Sequence, residues 1–274
     1  MQDIEVMLKQ FQHSFESVLK KSYRSMLKTH PFLKKDEYDY ARVTEAFLMR
    51  PSKRIRPFLV SFVAPWQRRD VQNVAIGIEL IHTSLLVHDD IIDESPKRRG
   101  GRAMHIEVGA KQALVVGDFY WAMGLYFLSK ADLSGQIMRE YLESLIRCAQ
   151  GQIFDIEASK KKTILSKDLF TLYECKTAGY SVGAPLAISA MLARRPRREV
   201  EAYRKIGLHI GVLFQLQDDI LDHDVLLTKA NINTKDQKIK LVDTVRSMIT
   251  DAKLPKKQTQ LLLLFVEYVA DRSL

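Results

Sequence analysis

Apolar residues recur at intervals of three and four along nearly the whole chain. Examples are Ile4, Met7, Leu8 and Phe11, then Leu142, Leu145 and Ile146, then Ile206, Ile210, Leu213 and Phe214. This spacing collects apolar side chains on one face of a helix, and the two-residue alternation of a half-buried strand is scarce. Pro51, Pro57, Pro96, Pro185, Pro196 and Pro255 fall near predicted helix starts or in loops, where a missing backbone N–H costs little. The pattern predicts an all-α helical bundle with its chemistry in the core, between facing helices. No stretch rich in Pro, Gly or Ser divides the 274 residues, so residues 1–274 are expected to form one domain.

Composition narrows the function classes. Hydrophobic residues make up 46% of the chain, enough for a substantial core. The apolar stretch Ala113 to Leu128 is broken by Asp118, which argues against membrane insertion. Met1 to Lys21 mixes charged and apolar residues and lacks the uninterrupted apolar centre of a signal peptide. Cys148 and Cys175 are too few for a disulfide framework and have no metal-ligand companions, so cytoplasmic residence is the expectation. The net charge of +9 admits nucleic acid, an acidic membrane surface or a phosphorylated substrate. No nucleic-acid-binding signature is present and aromatic residues are not interleaved with the basic ones, so nucleic acid is not expected as a partner. Lys160 to Lys162 and Arg194 to Arg198 read as ordinary solvated loops.

The most informative chemistry is an acidic pattern present twice, Asp-Asp-Ile-Ile-Asp at Asp89, Asp90 and Asp93 and Asp-Asp-Ile-Leu-Asp at Asp218, Asp219 and Asp222. Each follows an apolar helical run, Ile78 to Val87 before the first and Ile210 to Leu216 before the second. The outer aspartates of each triplet are four apart and share a helix face, where like charges repel unless a cation intervenes. Hard divalent ions such as magnesium fit, because they take carboxylate oxygens and bridge to substrate phosphates. One such cluster alone is as well explained by a solvated helix end. Two copies in apolar surroundings, where bare carboxylates are expensive, point to function.

Basic residues accompany the acidic ones. Lys53, Arg54 and Arg56 lie in Pro-Ser-Lys-Arg-Ile-Arg-Pro, ahead of an apolar helix from Phe58 to Ala64, and helix starts attract anions. Arg98 and Arg99 sit in a Gly-rich loop beginning at Ser95, just after the first triplet. They would serve either as ion-pair partners of the aspartates or as guanidinium forks for a diphosphate. His82 lies two helical turns before Asp89 on the same face.

Taken in order, these motifs resemble the trans-isoprenyl diphosphate synthases, also called polyprenyl synthetases. The resemblance spans roughly Pro51 to Asp222 and is carried by Lys53-Arg-Ile-Arg56, His82, His88-Asp-Asp-Ile-Ile-Asp93 and Arg98-Arg-Gly100. Gly151-Gln-Ile-Phe-Asp155, Lys176-Thr177 and Phe214-Gln-Leu-Gln-Asp-Asp-Ile-Leu-Asp222 complete it, and Phe265 to Arg272 looks like the family's C-terminal helix. The resemblance implies an isoprenoid-synthase bundle around a central cavity, usually a homodimer. It implies the condensation of isopentenyl diphosphate with an allylic diphosphate, which lengthens a linear prenyl chain by one five-carbon unit. Three magnesium ions are implied, with Asp89, Asp93 and Asp218 as ligands and Asp90, Asp219 and Asp222 in support. Arg98 is implied to clamp the allylic diphosphate, and Lys53, Arg56, His82 and Arg99 to hold isopentenyl diphosphate. The Lys176 carbonyl, the Thr177 hydroxyl and the Gln215 side-chain oxygen would face the allylic cation, with the Lys176 ammonium on the leaving diphosphate.

Two positions depart from the family pattern. Ser52 replaces the usual glycine before Lys53, and the segment after Asp222 is short. Lys229 is placed to substitute for the family's flap lysine, with Asn233 and Lys238 further on. Farnesyl-producing relatives often carry an aromatic residue four or five positions before the first aspartate. Here those positions are Leu85 and Ser84, so a product of geranylgeranyl length or longer is expected. Two other functions compete with this one. A class I terpene cyclase would lack the second full triplet and the basic set, whereas a non-catalytic subunit of a heterodimeric synthase would fit the shortened flap but not six retained aspartates.

Overall fold

The computed structural model describes residues 4–31 and 39–271. In chain order its elements are α1 (Ile4–Thr29), α2 (Tyr40–Leu48), α3 (Ile55–Val60), α4 (Arg69–Ile92), β1 (Lys97–Arg98) and β2 (Gly101–Arg102). There follow α5 (Met104–Val108), α6 (Ala110–Leu128), α7 (Ser134–Ser159), α8 (Ser166–Tyr173) and a π-helical segment (Glu174–Gly183). The chain continues through α9 (Ala184–Leu192), α10 (Arg197–Asp222), α11 (Val225–Lys229), α12 (Thr234–Asp251) and α13 (Lys256–Ala270). The expected all-α class is what the chain adopts. Among the described residues no helix is long and apolar enough to cross a membrane. Arg272, the last residue of the expected C-terminal motif, lies outside the described residues.

The elements largely follow from the sequence pattern, although the helix expected from Phe58 to Ala64 is instead Ile55–Val60. On α1 the buried positions Ile4, Leu8, Phe11, Phe15, Leu19 and Tyr23 recur every three or four residues, as an amphipathic helix requires. The loop after the first acidic triplet is a two-residue antiparallel hairpin pairing Lys97 with Arg102 and Arg98 with Gly101. Arg99 (φ 50°) and Gly100 (φ 75°) form its turn, and two successive left-handed residues are what a tight hairpin of this twist needs. Arg194 to Arg198 is only partly a loop, since α10 starts at Arg197 with Pro196 in extended conformation as its N-cap.

The chain resolves into two compact units, described separately. One comprises Val6–Phe58 and Trp66–Ser134. Its core includes an aromatic group in which Phe11 stacks on Phe15 and meets Phe58 and Trp66 edge-on. Thr44 of α2 receives a hydrogen bond from Tyr23 of α1 on its hydroxyl, 2.6 Å, and from Tyr120 of α6 on its carbonyl, 2.6 Å. The other unit comprises Met1–Glu5, Leu59–Pro65 and Gly135–Leu274. There Leu169, Leu172, Tyr173, Ala178, Val212, Leu216 and Ala230 form a buried cluster, with Leu226, Leu227 and Ile232 packed against it. The short segment after Asp222 is therefore anchored by its own apolar side chains.

Candidate active site

The first triplet closes α4. Asp89 and Asp90 lie in its last turn, Asp93 is the C-cap, and no basic residue shares that turn. This is the negative end of the helix dipole, an unfavourable place for three carboxylates. Asp90 is fully buried and receives Arg98 Nε at 2.7 Å, with Arg98 Nη2 on the same oxygen. Asp89 is partly exposed and lies 3.9 Å from Arg98, while Asp93 is exposed. The hairpin presents the arginines, and Arg50 fixes the hairpin by donating to the carbonyls of Arg98 (3.2 Å) and Arg102 (2.7 Å).

Behind the triplet, α4 carries His82 and Glu79 on the same flank. Arg56 Nη1 sits 3.1 Å from His82 Nε2. Burial, followed by the charges of Arg56, Arg99, Arg54 and Arg98, holds the His82 imidazole well below its ordinary pKa, so it is neutral. Arg54 is buried with φ 51° and pairs with buried Glu79, which Arg99 Nη2 also reaches at 3.4 Å. Lys53 is exposed.

The second triplet closes α10 in a similar way, with Asp219 and Asp222 in the last turn, Asp218 just before it, and no basic residue in that turn. Asp219 is the buried member. It receives Tyr173 Oη at 2.5 Å and Gln215 Nε2 at 2.6 Å. Burial pushes its carboxyl up to about 6 against those two hydrogen bonds, and nearby Asp224 and Asp218 add to the rise. Asp218 is partly exposed and Asp222 exposed.

Lys176 and Thr177 lie in the π-helical segment, whose i→i+5 bonding interrupts an otherwise continuous helix; such interruptions favour functional positions. Pro185, just beyond, has no N–H to continue the ordinary ladder. One stripe of α7 grips Lys176 at three points. Cys148 Sγ is 3.1 Å from its carbonyl, Asp155 pairs with its ammonium, and a Cβ on Gly151 would lie 2.5 Å from its backbone nitrogen. On the other side Gly211 of α10 meets Ala178 so closely that a Cβ would lie 2.5 Å from the Ala178 Cα. Gly211, Gln215, Asp218 and Asp222 recur at helical spacing, so that contact sets where the second triplet starts.

Within each unit the structure brings some of the expected residues together: Arg56 with His82, Arg98 with Asp90 and Asp89, Gln215 with Asp219. Lys229 is directed elsewhere, its ammonium donating to the Ser159 carbonyl at 2.7 Å. Sequence gives no role to Glu79, Arg50 or Tyr173, and it shows Arg54 only within a basic cluster, Asp155 only within a motif and Cys148 only as one of two cysteines. A lone acidic residue inside the apolar run before His82 was the one signal available for Glu79. Among the described residues, no group of three or more His, Cys, Asp and Glu side chains is arranged to hold a metal ion by itself.

Comparison with known proteins follows the same lines. The polyprenyl synthetase family model matches residues 38–238. The short chain isoprenyl diphosphate synthase of Methanocaldococcus jannaschii is 28% identical over 70% of this chain and 59% of its own length. The geranylfarnesyl diphosphate synthase of Natronomonas pharaonis is 30% identical over 68% of this chain and 54% of its own. The matched stretch thus spans rather over half the length of these curated relatives. Among solved structures, a geranylgeranyl pyrophosphate synthase superposes with a TM-score of 0.83 at 18% identity, covering 97% of this chain and 99% of that one. A heptaprenyl diphosphate synthase from Staphylococcus aureus gives 0.79 at 20% identity, with 97% and 99% covered. With a family match across well over half its residues, the chain belongs to the polyprenyl synthetase family.

Proposed function

We propose that this protein is a trans-prenyltransferase that joins isopentenyl diphosphate head to tail to an allylic diphosphate, with magnesium as its cofactor. One observation carries the reading. In both triplets the middle aspartate is locked into the protein by its own donors, and the triplet gathers its carboxylates at the negative end of a helix whose last turn carries no basic residue. That arrangement is costly for bare carboxylates and suits magnesium, which takes one or two carboxylates and completes its shell with water and phosphate. The names of the two sequence relatives favour the same substrate class.

In this proposal Asp89, Asp93 and Asp218 would be magnesium ligands, three ions in all, with Asp90, Asp219 and Asp222 supporting them. Bound there, magnesium would supply the positive charge that lets the diphosphate depart. Arg98, held beside Asp90, adds charge at the same diphosphate. Lys53, Arg56, Arg99 and neutral His82 hold isopentenyl diphosphate in register, which removes much of the entropic barrier. Asp155 fixes the Lys176 ammonium for the leaving group. Gln215 spends its amide nitrogen on Asp219, which leaves its oxygen for the allylic cation, beside the Thr177 hydroxyl and the Lys176 carbonyl that Cys148 Sγ also approaches. Lys229 would have to leave the Ser159 carbonyl to reach a diphosphate.

The small, buried Ser84 and non-aromatic Leu85 support a product of geranylgeranyl length or longer. Homodimerisation, a central cavity and cytoplasmic residence belong to the same proposal, and light scattering on the purified protein tests the first. The bond from Lys229 to Ser159 favours the second reading, a subunit that regulates an active partner. Incubation with farnesyl diphosphate, isopentenyl diphosphate and magnesium separates the readings. Chain elongation supports the transferase, inertness until a second subunit is added supports the regulatory subunit, and a cyclic hydrocarbon from the allylic substrate alone supports a cyclase.

A further inference from the structure

Glu79 is a buried carboxylate to which the proposed reaction gives no task. It lies on α4 one turn before His82, with a side chain 2% exposed. Arg54 pairs with it and is independently fixed, donating to the carbonyls of Leu48 (2.8 Å) and Arg50 (3.2 Å) and lying 3.4 Å from Glu16. Those other contacts hold Arg54 in place, so the second guanidinium on Glu79 is the one with latitude. That group is Arg99, at 3.4 Å through Nη2, on the hairpin turn. Its Nη1 is buried with no hydrogen-bond partner. Burial holds the Arg99 guanidinium below its ordinary pKa, with Glu79 opposing and Arg54 and Arg56 reinforcing that shift. Glu79 therefore answers two guanidinium groups, one of which Glu16 also reaches.

We infer that Glu79 is a positioning residue for isopentenyl diphosphate, holding one edge of the Arg99 guanidinium so that the other edge faces the substrate's phosphate oxygens. The inference rests on the transferase reading above. A carboxylate that merely neutralised Arg54 would affect stability alone. One that orients Arg99 acts on a single substrate, because Arg99 is assigned to isopentenyl diphosphate and the allylic diphosphate has its own clamp in Arg98.

The test is Glu79→Gln, which keeps the shape and removes the charge. The KM for isopentenyl diphosphate should rise about 10- to 100-fold, the range for losing one charge-assisted hydrogen bond, with the KM for the allylic diphosphate unchanged. Calorimetric titration with isopentenyl diphosphate should show the same weakening without any turnover. If Glu79→Gln fails to fold, the double variant Arg54→Met with Glu79→Leu replaces the buried pair by apolar side chains, an exchange that cores often tolerate, and should give the same selective rise. A folded variant with both KM values unchanged, or with both raised equally, overturns the inference while leaving the transferase reading standing. A wild-type protein that neither elongates nor binds isopentenyl diphosphate overturns both.

Discussion

Gly151→Ala should damage the site through geometry alone, without altering any charged or polar group. A Cβ at this position would lie 2.5 Å from the backbone nitrogen of Lys176, 2.8 Å from its Cα and 3.0 Å from the Cys175 carbonyl carbon. All three atoms are backbone, so no side chain can swing aside. Comfortable separations begin near 3.5 Å, so α7 and the π-helical segment must part by about 1 Å. Overpacking of this kind costs about 1–3 kcal/mol, a fall of several degrees in the thermal midpoint. The same displacement stretches the Cys148 and Asp155 contacts to Lys176, and a misplacement of about 1 Å costs about 100-fold in rate. Differential scanning fluorimetry and steady-state condensation kinetics measure the two effects, with Ala149→Ser at an exposed neighbour as control. A Gly151→Ala protein that matches wild type in both midpoint and kcat would refute the claim that this contact positions Lys176.

Other outcomes are equally specific. Ser84→Phe, at a fully buried position before the first triplet, should shorten the product as seen by chromatography of the dephosphorylated alcohols; unchanged length removes the chain-length argument. Tyr173→Phe takes one of two donors from buried Asp219 and should lower stability by about 1–3 kcal/mol in urea denaturation, and a loss below the error of that measurement would contradict the network described. His82 is neutral when folded but takes a proton near its ordinary value when unfolded. Its contribution to stability is therefore complete above about pH 6.5 and declines by up to about 1.4 kcal/mol per pH unit below it. His82→Gln should flatten that part of the stability–pH curve, and an unaltered slope would show that His82 is not the group responsible.

Helices and acidic triplets were legible because they depend on local periodicity, and the apolar runs before Asp89 and Asp218 do end helices at those aspartates. What the sequence could not assign was burial among like residues. Lys53, Arg54 and Arg56 read as one basic cluster, yet Arg54 is the buried one, turned inward by a left-handed backbone to reach a carboxylate 25 positions away. The π-helical segment keeps the apolar spacing of an α-helix, so nothing in the periodicity separates the two. Gly179, Gly183 and Pro185 were the available hints. Asp155 and Cys148 gain meaning only when α7 crosses Lys176, a long-range contact that no local pattern encodes. The hairpin was hidden for a different reason. Two-residue strands are too short for alternation to register, although Arg99-Gly100 carries the turn chemistry.

Each acidic triplet is proposed to act on substrate diphosphate through magnesium. A crystal structure with magnesium and a non-reactive allylic thiodiphosphate tests it directly. Metal density is expected on Asp89, Asp93 and Asp218, beside bound diphosphate. A triplet that bears neither metal nor diphosphate would overturn the proposal.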